Sequence, residues 1–403
     1  MDAALNHNRD KNNPLKVLWI CSWFPHERDL FDGDFILRHA QAAALYQHID
    51  VLHVVQQPGL LLNKTLRKQI DYNHQLSTTI IYPPYFHQLP AFLKKVFFNI
   101  SYYYLLWREV NKYVLKNGTP DLVHVHVPVK AGWAARMIKR KWNVPYILTE
   151  HSSAYTQSVP DGYFNRGWFF RYQTRKTFEQ AYLVLSVSFW LLNHLKKQFH
   201  IRKLMLVRNV VDTASFYPIS RKRDKIKLIH VSMMQPLKNV KGILDALVLL
   251  SKERNDWEMI FVGPVSAGIK KYAQERGLDS FLHWKGLISY KQVAHEMQQA
   301  DGYIHFSRYE NLPCAIQEAL CCGLFVISSD VGGIAELVNE RNGILVKEGD
   351  VNGLKSAMKN LIENINKVDK HQIAGSYHEQ WSSLQIGQQL DSIYRSVLSE
   401  NID

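Results

Sequence analysis

Cysteine is scarce in this chain of 403 residues: there are four, none in a Cys-x-x-Cys pair, and Cys321 and Cys322 are adjacent. That spacing fits neither a zinc site built on thiolates nor a disulfide framework, so the four read as reduced thiols of a core or pocket in a cytosolic protein. No uninterrupted apolar run reaches eighteen residues, which argues against a spanning helix. Segment 1–14 is polar and rich in Asn, without the apolar stretch a secretion signal requires. It is expected to be disordered, and the protein to be neither exported nor membrane-spanning. Internal repeats and low-complexity tracts are missing. So are a zinc knuckle, an RNP-like aromatic motif and a long basic helix, and nucleic acid is therefore not an expected partner.

What the chain does have is positive charge, a formal +13, unevenly placed. Residues 1–200 carry roughly 24 Lys and Arg against 13 Asp and Glu, and the remainder roughly 25 against 23. A basic face on the first half suits an anionic lipid surface or a polyanionic acceptor. Between Pro90 and Gly118, Phe92, Val96, Ile100, Tyr103, Trp107, Val110 and Val114 recur at helical spacing, widened by Phe97, Phe98, Tyr102 and Tyr104. Lys94, Lys95, Arg108, Lys112 and Lys116 flank them. This helix has the makeup of an interfacial membrane segment and equally of a core helix, and both readings stay open.

Length alone argues for two domains. Short apolar runs alternate with helical stretches, the pattern of parallel sheets covered by helices. Lys16–Cys21, Val51–Val55, Leu122–Val127, Tyr146–Thr149 and Tyr182–Ser186 read as strands of a first domain, with a helix Phe35–Tyr46 after the first. Lys227–Val231, Met259–Val262, Gly302–Phe306 and Leu324–Ser328 read as strands of a second. The resulting division is a first Rossmann-like domain at 15–211, a linker at 212–225, a second Rossmann-like domain at 226–375, and C-terminal helices at 376–403 crossing back to the first. Two such doubly wound domains face one cleft, lined by the loops after the strands' carboxyl ends.

Glu310 and Glu318 bracket Asn311-Leu312-Pro313-Cys314-Ala315-Ile316-Gln317. Pro313 opens a predicted helix, which puts Glu318 in its second turn and Glu310 on the loop before it. Both acids then face one pocket, where the free N–H groups of the first turn suit a diphosphate.

The run Ser307-Arg308-Tyr309-Glu310-Asn311-Leu312-Pro313, followed by Gln317-Glu318-Ala319-Leu320, Gly323, Val331-Gly332-Gly333, Glu336 and Asn342-Gly343, resembles the donor-site signature of family four glycosyltransferases. Trp23-Phe24-Pro25, Gly33-Asp34-Phe35, Pro120-Asp121, Thr149-Glu150-His151, Val187-Ser188, Asn209, Asp212, Phe216, Lys238-Asn239 and Gly242 follow the same family's order. The resemblance runs from about Lys16 to Tyr394. It implies an α/β protein of the GT-B fold and a retaining transferase that moves a sugar from a nucleotide-sugar to a glycan or lipid-linked acceptor. The setting it implies is cytoplasmic synthesis of a cell-surface polysaccharide or glycolipid, peripheral at the inner face of the membrane.

By the same resemblance Glu310, Lys238 and His151 are catalytic. Lys238 offsets charge on the leaving diphosphate, and Glu310 contacts the donor sugar without acting as a glycosidase nucleophile. Glu318 binds ribose hydroxyls, the backbone of Asn311, Leu312 and Cys314 holds sugar hydroxyls and phosphate oxygens, and Gly33, Gly263 and Leu287 complete the donor site. No cofactor and no metal are expected. Ser232-Met233-Met234 departs from the family where many members carry a second diphosphate-binding Arg. His124, His126 and His305 read as packing residues.

Overall fold

Trp19, Ile20 and their neighbours are apolar at every position because the strand they form is covered on both faces, as parallel strands are. The computed structural model describes residues 13–56, 64–84, 90–156, 159–220, 222 and 224–400. Most of segment 1–14, together with residues 221 and 223 of the expected linker, lies outside them. In the first domain the elements are β1 (Lys16–Cys21), α1 (Asp34–Ala43), β2 (His48–Val54), β3 (Leu66–Asn73), β4 (Leu76–Tyr82), α2 (Ala91–Asn117), β5 (Leu122–His126), α3 (Ala131–Trp142), β6 (Tyr146–Glu150), α4 (Trp168–Gln180), β7 (Leu183–Ser186), α5 (Phe189–Gln198) and β8 (Leu204–Leu206). Its sheet runs β3-β4-β2-β1-β5-β6-β7-β8, parallel except where β3 pairs antiparallel with β4. Alternate residues of β1 enter opposite cores: Val17, Trp19 and Cys21 pack on the α1 side, and Leu18 and Ile20 with α2 and α3.

The second domain contains β9 (Ile226–Val231), α6 (Val240–Ser251), β10 (Trp257–Val262), α7 (Ala267–Gln274), β11 (Leu282–Gly286), α8 (Tyr290–Gln298), β12 (Gly302–His305), α9 (Cys314–Cys321), β13 (Phe325–Ser329), β14 (Gly343–Val346), α10 (Val351–Asn364) and α11 (Lys370–Gly375). Its all-parallel sheet has the order β11-β10-β9-β12-β13-β14, again with a core on each face. Phe216, within the segment read as a linker, is fully buried in the second domain's core. The last helix, α12 (Ser383–Ser399), packs on α1: its Gly387 approaches Ala42 so closely that a Cβ would sit 2.3 Å from the Ala42 carbonyl oxygen. Its Tyr394 hydroxyl meets His124 Nδ1 at 2.8 Å.

Several boundaries differ from expectation. β2 begins at His48 rather than Val51, because Asp50 is accommodated inside the strand by Ser77 Oγ and Tyr113 Oη at 2.6 and 3.1 Å. α1 stops at Ala43, where Ala44 caps it, short of Tyr46. The aromatic stripe of α2 is not one face. Tyr102, Leu105, Leu106 and Val110 are buried, whereas no described residue from Phe92 to Ser101 is, and Phe92, Val96, Phe97 and Ile100 are exposed. Among the described residues no helix is long and apolar enough to cross a membrane.

Candidate active site

The loop after β12 is where the chemistry gathers. Glu310 Oε1 accepts from Lys238 Nζ at 2.5 Å and from His305 Nε2 at 2.9 Å. Lys238 reaches it from the short turn Pro236–Lys238 that precedes α6. Burial alone would raise the Glu310 carboxyl, but Lys238 and His305 outweigh burial and hold it well below the usual carboxylate range. His305 is therefore no packing residue: its Nε2–H donates to Glu310 and its Nδ1 faces the Tyr303 hydroxyl at 3.2 Å. A charged loop residue turned back over the strand end gives this buried imidazole a partner that alternation along a strand does not reveal.

Pro313 caps α9, so Cys314 and Ala315 open the helix with N–H groups that have no intrahelical partner. Glu318, one turn further, is buried and accepts from the Tyr290 hydroxyl at 2.8 Å. Arg38 of the first domain brings Nη2 to 3.6 Å from Glu318 Oε1, holds Asp34 at 2.6 Å and lies 4.8 Å over the Tyr290 ring. Burial pushes the Glu318 carboxyl up, with Arg38 and Tyr290 opposing it. The Cys314 thiol beside this group is pushed up to about 12, first by burial, so it is a neutral wall of the pocket.

Asn311 ties the two domains. Its Oδ1 accepts from Ser188 Oγ at 2.6 Å and its Nδ2 donates to the His151 carbonyl at 2.8 Å. The Leu312 carbonyl accepts from Asn209 Nδ2 at 3.3 Å. A second tie is Glu336, which accepts from Arg208 Nη1 at 2.6 Å and from the N–H groups of Phe189 and Trp190 at the start of α5. An anion at a helix N-terminus is favoured by the unpaired donors there. His151 lies between Phe35 and His126, its Nε2 3.2 Å from His126 Nδ1. Burial, with His39 and His124 nearby, pushes it well below its ordinary value, so the ring is neutral at neutral pH.

Gly33 caps α1 with φ of 65°, and a Cβ there would meet Trp23 at 2.9 Å, so this position admits little besides glycine. Gly263 and Leu287 lie at the neighbouring strand ends. A Cβ on Gly263 would sit 1.8 Å from the Ser232 carbonyl oxygen, and Leu287 is exposed. Met233, where a second cation was the family expectation, is 42% exposed. Arg38, Tyr290, His305, Arg208 and Ser188 were not singled out from sequence as site residues. Only Asp34 four residues before Arg38 hinted at a paired guanidinium. Asp32-Gly33-Asp34 spells an Asp-x-Asp triplet, but its carboxylates diverge. Asp34 is taken by Arg38, while Asp32 lies beside His26.

Residues 213–379 match the family model described as Glycosyl transferases group 1, and residues 72–215 match Glycosyltransferase Family 4. The putative teichuronic acid biosynthesis glycosyltransferase TuaC of Bacillus subtilis is 24% identical over 369 residues, covering 85% of this chain and 88% of that one. The structure resembles sucrose-phosphate synthase from Thermosynechococcus elongatus, with a TM-score of 0.76 and 19% identity over 96% of this chain and 100% of that one. It also resembles Anabaena HepE, solved in complex with UDP, with a TM-score of 0.71 and 17% identity over 95% and 100%. The architecture is GT-B, two Rossmann-like parallel sheets with helices on both faces.

Proposed function

This chain belongs to the glycosyltransferases of group 1 and family 4, and we propose that it moves a sugar from a nucleotide-sugar donor to a glycan or lipid-linked acceptor. The transfer retains the anomeric configuration and serves the building of a cell-surface polysaccharide. The observation that carries this reading is the Lys238–Glu310–His305 group beside the N-terminal turn of α9. Departure of a nucleoside diphosphate develops negative charge, which a preorganised cation and helix N–H groups stabilise. An entering diphosphate competes with Glu310 for Lys238. Glu310, kept ionised, presents fixed negative charge to an oxocarbenium-like sugar, and Glu318 is the acceptor for ribose hydroxyls. With Glu310 Oε1 tied by two donors, a leaving phosphate oxygen is the better base for the acceptor proton. No metal is assigned to this step. The UDP complex of the Anabaena neighbour supports a nucleotide-sugar donor.

The setting we propose is cytoplasmic and peripheral to the inner face of an anionic membrane. The exposed Phe92, Val96, Phe97, Ile100 and Tyr104 of α2, with Lys94 and Lys95 among them, support it. The test is incubation with a panel of nucleoside diphosphate sugars, with and without acceptor, following free nucleoside diphosphate and the product's anomeric configuration by NMR. Release that requires acceptor, retention, and an at least about hundredfold loss in Lys238→Ala are expected. Conversion of the donor into a second nucleotide-sugar, without acceptor and without net release of nucleoside diphosphate, points to a nucleotide-sugar epimerase. Binding of donor without any turnover points to a silent assembly subunit.

A further inference from the structure

His26, Asp32 and His53 place their ligating atoms within 4.8 Å of one another, the one such metal-ligand cluster found among the described residues. His53 is the penultimate residue of β2, and His26 and Asp32 lie on the loop between β1 and α1. His53 is fully buried, and its Nδ1–H donates to the Cys21 carbonyl at 2.9 Å. That bond fixes the tautomer and leaves the lone pair on Nε2, which has no partner. His26 is 3% exposed, and its Nε2 is likewise without a hydrogen-bond partner, 3.8 Å from Asp32 Oδ2. The two rings lie 5.9 Å apart and nearly parallel, and the Tyr82 ring closes the site edge-on to His26 at 6.0 Å. A buried polar atom left unpaired is costly, and here two of them face one carboxylate.

We propose that this cluster binds a divalent transition metal ion, with zinc the best match. Two neutral imidazoles and one carboxylate form a donor set that zinc accepts. An outer ring N–H held by a backbone carbonyl, as in His53, is the arrangement that orients a metal-ligating histidine. Donors about 2.0–2.2 Å from one ion stand about 3.0–3.6 Å apart, so the His26–Asp32 separation closes with a small side-chain rotation. Loading moves the His26 ring proton to Nδ1, which gives up the long 3.3 Å bond from the Arg28 N–H. The ion pins the loop that ends at Gly33 and α1 onto the end of the sheet. Because α1 carries Arg38 to Glu318, the site shapes the cleft without touching the reacting groups.

The test uses the full chain, stripped with a chelator and titrated with Zn2+ alone and with Co2+ as a spectroscopic probe. One equivalent of Zn2+ that raises Tm, and visible ligand-field bands with Co2+, are expected. Asp32→Asn and His53→Gln each remove a direct donor and should weaken Zn2+ binding by at least about 10- to 100-fold, the loss that removing even an outer partner of a ligand causes. His48→Gln, at an exposed position of the same strand, should leave it unchanged. Asp32 is one-quarter exposed, so its variant reports even if the buried His53→Gln fails to fold. Wild-type Zn2+ affinity no higher than that of Asp32→Asn, or binding abolished by His48→Gln, overturns the proposal.

Discussion

Replacing Glu310 with Gln keeps the shape of the side chain and removes one charge from a group of three. Lys238 and His305 both converge on Glu310 Oε1, and the side chains of Glu310 and Lys238 are only 11% and 19% exposed. The variant forfeits hydrogen bonds to a charged group, a loss of about 1.5–3 kcal/mol near neutral pH. The pH dependence has a definite sign. Burial raises the Glu310 carboxyl, but its partners bring it well below the ordinary 4.5, so the unfolded chain binds the proton first. The stabilisation is complete above about pH 4.5 and declines by about 1.4 kcal/mol per pH unit below it. Urea unfolding followed by tryptophan fluorescence at about pH 7 and about pH 3.5 should therefore show a gap between wild type and Glu310→Gln that narrows by about 1.4 kcal/mol. Turnover at neutral pH should fall by at least about a hundredfold. A gap that stays constant with pH, or undiminished turnover with the true donor, refutes the reasoning.

Glu318→Ala removes the acceptor of the Tyr290 bond and the partner of Arg38, and should weaken nucleoside diphosphate binding by about 10- to 100-fold in calorimetry, the worth of hydrogen bonds to a charged group. Its turnover at saturating donor should change far less than that of Glu310→Gln. On α2 two substitutions should separate. Phe97→Ser, at a position 44% exposed, should weaken co-sedimentation with anionic liposomes and leave the fold intact. Trp107→Ser, whose ring stacks on Trp142 and meets Trp133, should destabilise the first domain by about 3 kcal/mol in thermal melts. Salt should release the wild type from the liposomes, since exposed charges are screened beyond about 8 Å at physiological ionic strength.

The sequence by itself determined the two parallel sheets, because strands buried on both faces leave continuous apolar runs such as residues 17–21 and 259–262. It also placed Glu310 on a loop and Glu318 in the second turn of α9, since Pro313 marks a helix start within a few residues. β3 escaped notice because it is an edge strand whose Leu66–Asn73 are almost all exposed, so no apolar run betrays it. β8, β11 and β14 lie at or near sheet edges and are short and only partly buried. Tertiary structure alone decided that Arg38 meets Glu318, that His305 holds Glu310, and that His26, Asp32 and His53 share one site. Local pattern records which face of a segment is buried. Which distant residue lies across that face depends on how two sheets and their crossovers close on one another, and spacing along the chain carries no record of that.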